Sequence, residues 1–149
     1  MTEGVAPRVN GKAVVKDPPL VARIDRLMLA TVLVHFPITS AHAALHLGAG
    51  VVLDVAQLAF VVVVIIALPV YAIYRHRGTA GAVLLVGSMA ASFLFGFFFH
   101  FFSDTGDNIA HVHGGSAMPF SVTALVPAVV ELFGTVLAAA VLRRRVRIS

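Results

Sequence analysis

An all-α, four-helix bundle integral to a membrane is the fold class the sequence predicts, and three observations predict it. The 149 residues are 59% hydrophobic and only 12% charged, too apolar for an ordinary soluble domain. The apolar residues gather into four stretches of roughly 20 residues, the length a helix needs to cross ~30 Å of hydrocarbon. The Lys and Arg residues all fall in three places: the N-terminal segment up to Arg26, the Arg75–Arg77 turn, and the C-terminal end from Arg143.

Residues 1–19 read as a polar N-terminal tail carrying Arg8, Lys12 and Lys16. Asp17 followed by Pro18 and Pro19 suits a helix N-cap with proline in the first turn, where its missing N–H is no loss. A lead-in with Arg23, Asp25 and Arg26 then enters the first span, 27–47. A basic start, an apolar run and Ala41-His42-Ala43 imitate a signal peptide with its cleavage site. Three histidines in or beside that apolar run argue instead for a retained span. Gly48 and Gly50 end it with a tight turn.

The second span, 51–74, is rich in Val and Ile and contains Pro69, which frees the carbonyl of Ile65 and predicts a kink. Tyr71 and Tyr74 suit an interfacial belt. Arg75-His76-Arg77-Gly78 is a basic turn. The third span, 80–102, sets Ser88, Ser92 and Gly96 at four-residue intervals, a small face for close helix approach. Phenylalanines crowd its second half. After a polar connection the fourth span, 121–142, runs into a basic tail, 143–149, and residues 20–142 form the four-span domain.

The charge distribution predicts orientation. The first-to-second and third-to-fourth connections carry no Lys or Arg, so the positive-inside rule puts both termini in the cytoplasm of a cell whose inner or plasma membrane holds the chain. The connection His100–His113 then lies on the extracytoplasmic side. Basic residues abutting a span fit the membrane surface better than nucleic acid.

Ionisable groups within a span are costly and normally turn inward toward a partner or a cavity. Thr31, His35, Thr39, His42 and His46 fall on one helical stripe, with Pro37 disturbing its register. His42 and His46 are one turn apart, so both imidazoles can reach one ion. Depth counting brings His100 to the same level. The connection adds Asp104, Asp107, His111 and His113. A short helix over Asn108–His111, capped by Asp107, would present Asp107 and His111 together. The expected ligands are therefore His42, His46, His100, Asp107, His111 and His113, with Asp54, Gln57 and Asp104 as supporting partners.

Such a set, without thiolate because the chain has no cysteine, suits copper or zinc. Haem b held by His42 or His46 with His100 is an alternative. His35 and Glu131, at similar depth in the first and fourth spans, are expected as an intramembrane polar pair. Phosphate-loop, dinucleotide, hydrolase-elbow and HExxH motifs are absent, so substrate and reaction stay open. The readings are a redox or metal-handling component of a larger membrane complex, a haem- or quinone-associated electron-transfer subunit, a structural subunit without cofactor, and a metal or proton transporter, for which only His35 and Glu131 lie near the midplane where transporters bind their substrates. Each is compatible with other membrane subunits or with a homo-oligomer.

The cysteine-free sequence makes the orientation directly testable. A cysteine introduced by Thr105→Cys should react with a membrane-impermeant maleimide in intact cells, whereas one introduced by Ser149→Cys should react only after permeabilisation. The reverse pattern would invert the topology.

Overall fold

A computed structural model describes the backbone of residues 8–9, 12–13, 19–75 and 79–148, and side chains within 26–74 and 79–146. The expected cap at Asp17-Pro18, the side chains of the Arg23–Asp25 lead-in and the turn residues His76, Arg77 and Gly78 lie outside the described residues. Within the N-terminal segment, β1 (Arg8–Val9) and β2 (Lys12–Ala13) pair antiparallel. The reading of this segment as an irregular tail missed that pairing, although its Asn10-Gly11 dipeptide is a strong hairpin signal.

Four helices are long and apolar enough to cross a membrane. The first, α1, spans Pro19–Ala49. It ends in a Schellman turn: Gly50, at φ 70, donates to Leu47 O and Val51 N donates to His46 O. Only glycine adopts that left-handed conformation without strain.

The second helix, α2, starts four residues later than the hydrophobic run suggested. Asp54 is its N-cap, accepting from Gln57 N while the Gln57 side chain accepts from Asp54 N, a reciprocal capping box. The helix is composite: α-helical over Val55–Phe60, π-helical over Val61–Ala67 and α-helical again over Leu68–Arg75. Pro69 was expected to kink a regular helix. The structure instead places a run of wider turns immediately before it, so the disturbance extends about two turns N-terminal to the proline.

The third helix, α3, spans Thr79–Phe101, and the fourth, α4, spans Ala117–Ile148, entered through a 3₁₀ turn at Gly114–Ser116. The fourth helix therefore begins earlier than the expected 121 and carries the basic residues from Arg143 as its last turns rather than as a separate tail. Between α3 and α4, residues 102–113 form turns and bends. The expected short helix over Asn108–His111 does not form. Its backbone is tied elsewhere: Ile109 N donates to His100 O, closing the end of α3, and Asn108 Nδ2 donates to Ser103 O.

The central helix is α4, which packs on both α1 and α3, while α2 packs mainly on α3. Small residues make this possible. Ser88, Ser92 and Ala138 are buried, and a Cβ added to Gly134 would lie 3.1 Å from Thr31 Cγ2 and 3.3 Å from Met89 Sδ. At Gly134, side chains of α1 and α3 therefore press directly on the α4 backbone. Val32, Ala72, Leu85, Met89 and Ala138 form the apolar cluster around that point. The outward faces carry Leu33, Val62, Leu94, Phe98, Val129 and Val136, all exposed, as expected of surfaces facing lipid tails.

The stripe on α1 faces inward along its whole length. Thr31, His35, Thr39, His42 and His46 are all buried, while their neighbours Leu33, Phe36 and Leu47 are exposed. Pro37 does not break the register.

Gly134→Val should cost about 1–3 kcal/mol by overpacking, read as a lower unfolding midpoint in detergent. Gly87→Ala, which meets nothing within 4 Å, should leave that midpoint unchanged or raise it.

Candidate metal centre

At one end of the bundle the last turns of α1, the last turn of α3 and the first turns of α4 converge on three imidazoles. His42 Nε2 lies 3.0 Å from His46 Nε2 and 3.0 Å from His100 Nε2. One ligand atom from each ring falls within 4.8 Å of the others, and all three residues are buried. A tetrahedral ion with metal–nitrogen bonds of ~2.0–2.1 Å separates its donor atoms by roughly 3.3–3.4 Å, so the His42–His46 and His42–His100 separations stand within a few tenths of an ångström of a ligand spacing.

The partners of the opposite ring nitrogens decide which atoms are free to bind. Thr123 Oγ1 donates its hydrogen to Pro119 O at 2.8 Å, so it accepts from His42 Nδ1 at 3.0 Å. His100 Nδ1 donates to the backbone carbonyl of Asp107 at 2.9 Å. In their neutral forms, both rings therefore present a bare Nε2 lone pair, and these two lone pairs face each other. Such an arrangement is repulsive unless something positive lies between them. A proton on one ring would serve, as would a metal ion. An Nδ1–H held by a carbonyl or hydroxyl is the arrangement that orients metal-binding histidines elsewhere.

Two buried atoms near this point lack a hydrogen-bond partner: His46 Nδ1 and Asp107 Oδ1. The Asp107 oxygen lies 3.3 Å from both His46 Nε2 and His100 Nδ1, close enough for ionic attraction but without hydrogen-bond alignment. A buried carboxylate beside three imidazoles supplies negative charge where a cation would sit. Phe120, fully buried, packs its ring 5.0–5.7 Å from all three imidazole centroids and shields them from lipid and water.

The other expected site residues lie apart from this group. His111 and Asp107 turn away from each other because the segment between them is a series of turns. His111 is half-exposed, with Nδ1 donating to Thr105 O at 2.8 Å and Nε2 3.4 Å from the exposed Asp104. His113 is exposed and precedes the 3₁₀ turn. Asp54 and Gln57 are committed to the α2 capping box, and among the described residues neither bonds to the histidines.

Thr123 and Phe120 are contributors that the sequence reading missed. Phe120 lies one residue before the expected start of the fourth span, and Thr123, inside it, is a lone hydroxyl whose role shows only once His42 is seen beside it.

Deeper in the bundle, His35 Nε2 and Glu131 Oε1 are 3.0 Å apart, with both side chains almost fully buried. A cavity of about 60 Å³ extends from the histidine cluster and is bordered at its far end by Glu131.

The chain matches no known protein family, and no curated protein or solved structure is significantly similar to it.

The His35–Glu131 contact predicts strong coupling. His35→Leu or Glu131→Leu alone should destabilise by about 3–5 kcal/mol, since each leaves a buried polar partner alone, and the double substitution should cost less than the two together. Unfolding in detergent checks this as a double-mutant cycle, and additive costs would refute the coupling.

Proposed function

We propose that this chain is a membrane protein that holds a metal ion on His42, His46 and His100. The observation that carries this reading is the pair of Nε2 lone pairs held face to face at 3.0 Å by Thr123 and by the Asp107 carbonyl. Three imidazoles without thiolate suit Zn(II) or Cu(II). Three protein nitrogens would leave one position of a tetrahedral ion open, and the Asp107 carboxylate stands beside the cluster, 3.3 Å from His46 Nε2. The ion thus has a route to a water, a substrate or a carboxylate without dismantling the site.

The distribution of Lys and Arg supports an orientation in which both termini are cytoplasmic and the centre lies at the extracytoplasmic end. Exposed Phe97, Phe98 and Phe102 near the same end offer an apolar surface for neighbouring membrane subunits. These features support a redox or metal-handling component of a membrane assembly. The haem alternative fits the geometry less well: a 3.0 Å approach between His42 Nε2 and His100 Nε2 leaves no space for a macrocycle between them.

Metal analysis of the purified full-length chain, after equilibration with Zn²⁺ or Cu²⁺ and desalting, tests the proposal. The wild type should retain one ion per chain, and His42→Ala, His46→Ala and His100→Ala should each lose it. Thr123→Val should weaken affinity by about 10–100-fold, since it removes the group orienting His42. The double variant His111→Ala/His113→Ala should bind like the wild type. Equal metal content in the wild type and the three single variants would overturn the assignment.

A further inference from the structure

The His35–Glu131 pair is buried, with side-chain exposures of 2% and 5%, yet it is not sealed off. Glu131 borders the same cavity as His42, His46, His100 and Asp107. The cavity's volume of about 60 Å³ exceeds what one water needs and, at a liquid share of ~30 Å³ each, is room for about two waters. Its walls are mostly apolar, with Ile65 from the π-helical part of α2 and Phe95 from α3 among them. Polar groups mark its two ends.

One polar group stands between those ends. Thr39 lines the cavity, is 7% exposed, and its Oγ1 is buried with no hydrogen-bond partner. Thr31, two stripe positions deeper, satisfies its hydroxyl by donating to Leu27 O, so the orphaned hydroxyl is particular to Thr39. Thr39 is four residues beyond His35 and three before His42, so it sits about midway along a rise of ~10 Å. A hydroxyl both donates and accepts, and an unpaired one in a polar-ended cavity calls for water.

We infer that this cavity holds a short water chain, relayed by the Thr39 hydroxyl, through which the buried His35–Glu131 pair exchanges protons with the end of the bundle bearing the histidine cluster. Each transfer moves one proton along existing hydrogen bonds: an O–H bond forms on each acceptor as one breaks on its donor, and no electrons change hands. His35 on α1 is the titratable group bonded to Glu131. Ser92 of α3 and Ile65 of α2, which share the cavity, do not titrate, and the three imidazoles and Asp107 stand at its other end. Resting on the metal-centre reading, an ion bound there stands at the mouth of the path and slows the exchange. The protein then links metal occupancy at its surface to proton access at mid-depth.

The sequence permits a clean measurement. Glu3 and Glu131 are its only glutamates, so a Glu3→Gln chain grown with carboxyl-¹³C glutamate carries one labelled glutamate carboxyl, that of Glu131. The full chain in lipid nanodiscs is mixed with D₂O, and the deuterium-induced shift of the labelled band is followed by time-resolved infrared spectroscopy. Thr39→Val should slow the shift by roughly tenfold or more, by cutting the relay, and Thr39→Ser should preserve it. Ala128→Leu, which fills the cavity from α4, should slow it as well. Saturating Zn²⁺ should slow exchange in the parent chain but not in its His42→Ala variant. Exchange in Thr39→Val and Ala128→Leu as fast as in Thr39→Ser would overturn the pathway. If mass spectrometry shows that Zn²⁺ does not bind, the metal-centre reading falls, while the Thr39 and Ala128 comparison still decides the path.

Discussion

Hydrocarbon offers no hydrogen bonds, and that constraint organises this molecule. Each polar side chain along the spans must find its partner inside four narrow helices. The α1 stripe meets the requirement one residue at a time: Thr31 bonds its own helix, His35 takes Glu131, and His42 Nδ1 takes Thr123. Among the described residues in the half of the bundle that holds the histidines, the exceptions are Thr39 Oγ1, His46 Nδ1 and Asp107 Oδ1. They are not scattered, since all three residues border one cavity. Unmet bonding capacity concentrated in one place marks where the protein is built to receive something from outside itself.

The bundle was legible in the sequence because length and hydropathy act over whole segments. The inward stripe was legible because 3.6-residue periodicity survives a proline: Pro37 removes one donor but leaves His42 and His46 in phase with His35. The pairing of His35 with Glu131 followed from depth counting alone, since few ionisable groups lie at that depth.

What the sequence concealed depends on irregular backbone. Asp107 and His111 share a D-x-x-x-H spacing that becomes a common face only in a helix, and the turns after Ser103 send one inward and the other out. Asp54 and Gln57 looked like partners for the histidines because they share their depth, but a capping box uses both side chains locally. The broad π segment before Pro69 has no periodicity signal of its own, because Val and Ile surround that helix on every side. Thr123 escaped notice because a hydroxyl in an apolar span is unremarkable until the ring beside it is known.

Two of the buried contacts have a mechanical meaning beyond their chemistry. His35–Glu131 and His42–Thr123 both join α1 to α4, at levels about 10 Å apart along the axis. A single contact between two rods is a pivot; two contacts form a truss. Rolling or sliding α4 against α1 must strain both at once, and the Thr31 side chain packed against Gly134, just beyond Glu131, leaves little slack for compensation. The α1–α4 pair should therefore move as one strut. Motion that admits an ion or water must come instead from α2 and the loop carrying Asp107, whose packing against this strut is lighter.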